Sequence, residues 1–480
     1  MQQLAFFMRV NFVEREGVMM NRKLNIALIS PRTGMYRFGT GVFPLTLRYA
    51  PLNMVTLAAL IPQELRGEVT VYDESVQRVD PTKIKADIVG LTGITGVSLR
   101  SYAFSEYFRR QGITTVMGGP HATLMPEEAG RHADAVVIGH AYETWPRLLR
   151  DYLDGKLQKF YYPPEKIDWS LIPDPQRDFF SDKRFITTNS TQAVFGCPHQ
   201  CEFCVTPIIC KGNYERRPIS DVVGELSRMK GRYVTFLDPS PVENVEYSIA
   251  LFKAIAPLKK RWGGLATTRI VDNPELLDAM EASGCFGLLI GFESLTDSGN
   301  TTIGKGFNDI RKYRRLMQEL HARNISVMGC FVHGLDSDGP DCFKHTLDFI
   351  HEANVDLPRF TVCTPFPGTP FFNRLKSEGR ILTENWTLYD AQHVVFQPKL
   401  MTTEELQEGH IRCWESAYRI SSIFKRLNGS RTFLEYTILA NLGYRFYCHG
   451  HRRFPPKRMA RDWQLDVTTA ADIASIQPAY

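Results

Sequence analysis

Phe195-Gly196-Cys197-Pro198-His199-Gln200-Cys201-Glu202-Phe203-Cys204 puts three cysteines on one short loop at Cys-x3-Cys-x2-Cys spacing. Four cysteines close off a [4Fe–4S] cluster, whereas three leave one iron open to another ligand. The competing readings are a zinc knuckle, a disulfide pair and buried free thiols. Zinc takes a fourth Cys or His at matching spacing, and His199 inside the loop is a candidate for it. An aromatic residue, Phe203, precedes the last cysteine, and a strand-like run over 185–194 leads into the first.

Around this loop the chain reads as an ordinary globular protein. Its 480 residues predict two or three domains. The hydrophobic share of 43%, charged share of 23% and net charge of +5 single out no partner. The ten cysteines form no even-spaced disulfide framework, and several sit in apolar runs as small hydrophobes. A reducing cytoplasm is the expected compartment. No apolar run reaches the ~18 residues of a membrane span. Residues 1–23 read as a leader, interrupted by Arg9, Asn11, Glu14 and Glu16; Met19 and Met20 suggest a later translation start.

Residues 24–151 alternate strand and helix. Strands are expected at 25–29, 68–72, 87–91, 114–117 and 134–138, and helices at 52–61, 98–110 and 142–151. Short buried strands alternating with amphipathic helices predict a parallel, doubly wound sheet with its ligand crevice at the carboxyl ends of the strands. The loops there are Gly90-Leu91-Thr92-Gly93-Ile94-Thr95-Gly96, Met117-Gly118-Gly119-Pro120-His121 and the turn through Gly139 and Glu143. Their small residues let backbone approach a large flat ligand. No Gly-x-Gly-x-x-Gly opens the first helix, which disfavours NAD. Residues 152–184, broken by Pro163-Pro164, Pro173 and Pro175, read as a linker. Six further strand–helix units follow over 185–399, with strands expected at 185–194, 233–237, 264–268, 287–292, 326–331 and 359–362. In such barrels chemistry gathers at the carboxyl ends of the strands. Residues 400–480 read as a helical region, with helices over 404–423 and 434–447 and a basic tail.

The cysteine loop and the six-unit pattern resemble the radical S-adenosylmethionine (SAM) enzymes, and the preceding loops resemble the cobalamin-binding domain of one large subclass. The resemblance covers most of residues 24–400. It implies an α/β fold in which an N-terminal doubly wound, Rossmann-like cobalamin-binding domain (24–151) is followed by a partial (β/α)6 TIM barrel (185–399) and a small helical carboxyl-terminal region. It implies Cys197, Cys201 and Cys204 as ligands of a [4Fe–4S] cluster. Thr92, Thr95, Gly118 and Gly119 match that family's nucleotide-tail contacts. The Asp-x-His-x-x-Gly motif of the histidine-ligated version is missing, since the first loop reads Ser30-Pro31-Arg32-Thr33-Gly34-Met35-Tyr36.

For SAM the resemblance points to strand ends. Asp238, in Phe236-Leu237-Asp238-Pro239-Ser240, takes the place of a Gly-Gly-Glu-type segment near the SAM amino group, though without its glycines. Arg269 suits either the SAM carboxylate, as a bidentate pair, or a structural salt bridge. Glu293, with Ser294 beside it, matches a residue that bonds the ribose hydroxyls. Gly329 lies in the segment whose backbone lines adenine, and His333 reads as a satisfied loop histidine. Tyr214 and Arg217-Pro218 recur beside the SAM pocket, and Thr364–Pro370 forms a turn common in the subclass. Cys448, His449 and His451 read as surface residues rather than a metal site.

The implied activity is cleavage of SAM to a 5′-deoxyadenosyl radical and methylation of an unactivated carbon. The alternative is an oxidative cyclase or ring-rearranging enzyme with the same cofactors, and a binding protein without turnover is a third reading. Expected partners are a small-molecule, lipid-like or tetrapyrrole-like substrate and a flavodoxin- or ferredoxin-type electron donor. No nucleic acid is expected, because the basic residues form no stripe interleaved with stacking aromatics.

Overall fold

The computed structural model describes residues 22–32, 49–77, 79–180, 185, 187–430 and 432–451. Most of the Ser30–Tyr36 loop, the leader and the basic tail beyond 451 lie outside these residues. The chain divides into two compact units, whose described parts are 22–32 with 51–180, and 49–50 with 185–451.

The first unit is a six-stranded parallel sheet in the order β2-β1-β3-β4-β5-β6. Its strands are β1 Leu24–Ser30, β2 Arg66–Asp73, β3 Ile88–Thr92, β4 Thr114–Gly118, β5 Ala135–Val137 and β6 Phe160–Tyr161. Leu24, Ile26, Ile29, Ile88 and Val136 are fully or almost fully buried, as expected of strands covered on both faces. Helices Leu52–Ala59, Ser98–Arg110 and Thr144–Leu153 cross between strands. Two short helices that periodicity misses, Pro120–Leu124 and Pro126–His132, follow β4; each is opened by a proline at its first turn. The stretch read as a linker contributes β6, which pairs with β5 through Phe160 and Tyr161. Its prolines lie beyond that pairing, so they terminate the strand without preventing it.

The second unit holds a six-stranded parallel sheet in the order β14-β13-β12-β11-β10-β7. Its strands are β7 Ser190–Thr191, β10 Tyr233–Phe236, β11 Arg261–Ala266, β12 Cys285–Glu293, β13 Ser326–His333 and β14 Leu357–Val362. A small antiparallel pair, β8 Val194–Gly196 and β9 Tyr214–Arg216, flanks the cysteine loop. The long strand expected over 185–194 is therefore corrected to a two-residue strand and a separate hairpin arm. The backbone N–H of Asn189 donates to Thr187 Oγ1, and the Asn189 side chain donates to the Lys230 carbonyl, which diverts this stretch from ladder pairing.

On β12, Leu288, Ile290 and Phe292 are buried in the main core with Trp262, Leu316 and Phe331, while the intervening Gly287, Leu289 and Gly291 are less buried. Period-two alternation thus sends Leu288, Ile290 and Phe292 toward the core and places Gly287, Leu289 and Gly291 on the other face of the strand. The expected 404–423 helix is two helices, Thr403–Ala417 and Ile420–Ser430. A Thr402/Glu405 capping box starts the first. At the break, the buried Tyr418 hydroxyl donates to the Pro358 carbonyl at 2.7 Å.

His333 ends β13 fully buried rather than in a loop. It lies near-parallel to Phe360, with 5.7 Å between ring centroids, and its Nδ1 is 3.5 Å from His410 Nδ1. Burial holds its imidazolium form down to about 3. A histidine depressed in the folded state costs stability as pH falls below the unfolded value near 6.5, by roughly 2 kcal/mol at about pH 5. The His333→Phe variant lacks that penalty. The thermal-melting gap between wild type and variant is expected to close as pH drops from about 7.5 to 5; a gap independent of pH contradicts this account.

Candidate functional site

The cysteine loop is set by its own backbone and by three distant segments. Gly196 has φ +86°, and a Cβ there would lie 1.9 Å from the Asn213 carbonyl oxygen, so only glycine fits the entry to the loop. The Cys204 N–H donates to the Cys201 carbonyl at 3.0 Å, turning the chain between the second and third thiols. The Glu202 N–H donates to Ile303 O, and Glu202 O accepts from Phe371 N–H, each at 3.0 Å. The Glu202 carboxylate takes a two-pronged bond from Arg374, with both N···O distances 3.0 Å, and Arg374 also donates to Asp336 at 2.6 Å. These hydrogen bonds to charged groups contribute about 2 kcal/mol each when half-buried. Arg374→Ala is therefore expected to loosen the loop, lowering iron retained after anaerobic reconstitution several-fold and the melting temperature by a few degrees. Unchanged iron content would mean that the clamp is dispensable.

Among the described residues, no three Cys, His, Asp or Glu side chains converge as ligands of a single metal ion. A mononuclear zinc site needs such convergence, whereas an iron–sulfur cluster spreads its thiolates over separate irons. Three free thiols on one tethered loop supply the three-cysteine ligand set that the spacing predicts for a cluster. His199, the candidate fourth zinc ligand, points elsewhere: its Nε2 lies 2.8 Å from Glu243 Oε2, and its ring stacks on Phe307 at 4.1 Å. Burial pushes the Cys201 thiol up to about 12 and raises Cys197. Cluster assembly must therefore displace protons from these groups.

Two acids organise the loop's surroundings: Glu243, which the sequence reading missed, and Asp238, which it named. Glu243, almost fully buried, also accepts from Thr267 Oγ1 at 2.8 Å, Ser240 Oγ at 3.0 Å and Arg269 at 3.3 Å. Those bonds, His199 included, hold its carboxyl below the usual range against the opposing effect of burial. Arg269 forms an ion pair with Glu243 while its side chain stays 57% exposed. Asp238 is completely buried. Its Oδ1 accepts from the N–H groups of Ala193 (2.7 Å) and Val194, holding the approach to the cysteine loop, and its Oδ2 has no hydrogen-bond partner among the described residues. Burial raises its carboxyl to about 7.

Glu293 ends β12 at a register shift, with φ +61°. Such a bulge re-aims the side chain. Its Oε1 accepts from Lys305 Nζ at 2.6 Å. A Cβ on Gly291 would come within 2.3 Å of Glu293 Oε1 and 2.8 Å of Lys305 Nζ, so that glycine makes room for the pair. Burial lowers the Lys305 ammonium, but Glu293 outweighs it and the net shift is upward. The buried Ser294 hydroxyl bonds Thr296 at 3.1 Å. Gly329 has a packing reason: its Cβ would meet Val355 at 2.9 Å and Phe292 at 3.1 Å. Tyr214 donates to Ser240 O at 3.3 Å, and Arg217 pairs with Glu225.

In the first unit, Thr92, Thr95, Gly118 and Gly119 gather at the carboxyl ends of β3 and β4. Gly119 has φ +88°, and a Cβ there would lie 2.5 Å from Thr92 Oγ1. Beside them is a narrow crevice lined by Leu91, Gly93, Tyr102, Met117, Gly118 and His121, among others. The Tyr102 hydroxyl donates to Glu128 Oε1 at 2.8 Å and faces His121 Nε2 at 2.9 Å. Since the phenol proton goes to Glu128, His121 Nε2 carries hydrogen; its Nδ1 faces Thr95 Oγ1 at 3.3 Å. Burial, then Glu128, raise the Tyr102 hydroxyl far above its ordinary value. A second buried group, the Arg100–Glu74 pair at 2.6 and 2.7 Å, fixes the turn after β2. Glycine backbone and hydroxyls at the strand ends are groups that let the tail of a large flat cofactor approach closely.

The radical SAM superfamily pattern matches residues 192–350, and a domain of unknown function, DUF4070, matches 369–440. Bacteriochlorophyllide d C-12(1)-methyltransferase of Chlorobaculum tepidum is 30% identical over 391 residues, covering 79% of this chain and 85% of that protein. Bacteriochlorophyllide d C-8(2)-methyltransferase of the same organism is 26% identical, covering 65% and 73%. The radical SAM methyltransferase TsrM of Kitasatospora setae, solved with cobalamin and a [4Fe–4S] cluster, shares the fold with a TM-score of 0.59 at 17% identity, over 74% of this chain and 78% of that one. The chain belongs to the radical SAM family of the bacteriochlorophyllide methyltransferases that it resembles over most of its length. It is a radical SAM enzyme related to C-methyltransferases. No helix among the described residues is long and apolar enough to cross a membrane.

Proposed function

We propose that the chain is a cobalamin-dependent radical SAM methyltransferase that adds a methyl group to an unactivated carbon of a tetrapyrrole-like substrate. The observation that carries the reading is the loop of three free thiols, Cys197, Cys201 and Cys204, tethered through Glu202 to Arg374. Identity to a bacteriochlorophyllide methyltransferase over most of both chains supports the substrate class. When bound, the [4Fe–4S] cluster supplies an electron, SAM a radical precursor and methyl source, and cobalamin the methyl carrier.

The protein's part is placement. Cys197, Cys201 and Cys204 hold the cluster, with Arg374 and Glu202 fixing the loop. Glu293, aimed by its bulge and steadied by Lys305, offers a carboxylate to the ribose hydroxyls. Arg269 pairs with Glu243 through Nη1 alone and, 57% exposed, keeps its other donors for the SAM carboxylate, while the backbone around Asp238, Ser294 and Gly329 shapes the remaining wall. Thr92, Thr95, Gly118 and Gly119 receive the nucleotide tail, with His121 orienting the Thr95 hydroxyl. An external flavodoxin- or ferredoxin-type protein is the electron source.

The test is anaerobic turnover of reconstituted, corrinoid-loaded protein with methyl-labelled SAM, a strong reductant and a bacteriochlorophyllide. A product heavier by one labelled methyl group is expected. Consumption of SAM with a substrate that loses hydrogens or rearranges would overturn methyl transfer.

A further inference from the structure

The last described helix, Leu434–His451, presents two unlike faces. Thr437, Ala440, Asn441 and Cys448 are buried against the barrel unit; the Asn441 amide donates to Asp356 O and its oxygen accepts from Arg426, both at 3.0 Å. On the opposite face Leu434, Ile438, Leu439, Leu442 and Phe446 are 39–66% exposed. Their spacing of four, one, three and four residues makes a single stripe along the helix. Glu435 is the one charged residue among the exposed positions of the helix with described side chains. In sequence, no acid occurs between Glu435 and Asp462, whereas Arg445, Arg452, Arg453, Lys457, Arg458 and Arg461 all fall there.

We infer that this helix docks the enzyme on an anionic lipid surface, its apolar stripe lying in the bilayer interface and the adjoining cations meeting lipid headgroups. An exposed apolar helix face bordered by a cationic segment is the composition of an interfacial helix, which lies on a membrane without crossing it. A second copy of the chain fits less well. Five side chains from one helix fall short of the ~800 Å² per partner and 20–30 residues of a stable interface. A two-fold contact there would also bring together two chains that each carry a net charge of +5. The inference goes beyond the proposed chemistry and stands without it.

The test is co-sedimentation of the full chain with vesicles of phosphatidylglycerol mixed into phosphatidylcholine, against phosphatidylcholine alone. Binding is expected to the anionic vesicles, weakening in high salt. It should fall at least tenfold in a Leu439→Asp/Leu442→Asp variant and about fivefold for each cation removed in Arg452→Ser/Arg453→Ser. The altered leucines are exposed, so an unchanged melting curve and unchanged SAM cleavage verify folding. Wild-type protein that stays in the supernatant, or a double-leucine variant that binds as well, would overturn the inference. A concentration-dependent dimer in ultracentrifugation, lost in the same variant, would assign the face to a second copy instead.

Discussion

Cys201→Ala is expected to abolish reductive cleavage of SAM, a loss of at least about a thousandfold in 5′-deoxyadenosine formation, while the protein remains folded. The loop geometry survives the substitution because its anchors are backbone groups and other side chains: Cys201 O still accepts from Cys204 N–H, Glu202 N–H still reaches Ile303 O, and Arg374 still clamps Glu202. Deleting one buried sulfur costs about 1 kcal/mol, so the melting curve shifts little. What is lost is a ligand that three-point anchoring cannot spare. Cys210→Ala is the matched control. That thiol is also buried and pushed up to about 12, and it lies six residues beyond the last cysteine of the motif. It should keep both iron and activity. Retained iron and SAM cleavage in Cys201→Ala, or equal loss in Cys210→Ala, would remove the three-thiol reading.

How much of this was legible beforehand follows the reach of each signal. Strands such as Ile88–Thr92 and Ser326–His333 announce themselves through short apolar runs, and the cysteine loop through spacing within eight residues. Glu293 was legible as an acid ending an apolar strand, since such a group requires a partner. That the partner is Lys305 was not legible, because nothing local marks a lysine twelve residues on. The Glu202–Arg374 clamp spans 172 residues, and Glu243 sits in a turn where an acid ordinarily faces water. Tyr102, His121 and Glu128 come from three separate helices that only the fold brings together. The expected strand over 185–194 fails for the opposite reason. Its residues favour strand, but Thr187 takes the Asn189 N–H locally and the Asn189 side chain reaches the distant Lys230 carbonyl, so ladder pairing begins only at Ser190.

Gly119→Val is expected to separate the two halves of the proposed activity. At φ +88° a β-branched side chain is strained by several kcal/mol, and even its Cβ would sit 2.5 Å from Thr92 Oγ1 and 3.2 Å from Gly93 N. Relief requires the Thr92 loop to move, and Thr92, with Thr95 beyond it, belongs to the proposed nucleotide-tail contacts. Corrinoid absorbance should therefore be lost after removal of free ligand, and methyl transfer should fall at least a hundredfold. SAM cleavage should persist, because the thiol loop and Glu293 belong to the other compact unit. Gly118→Ala separates strain from mere size. A Cβ there would lie 3.6 Å from Val137 O, ordinary contact, so corrinoid retention should change by less than about threefold. If Gly119→Val keeps its corrinoid, the tail does not pass between β3 and β4. If it loses SAM cleavage as well, the melting curve decides between unfolding and a dependence of SAM cleavage on the corrinoid unit.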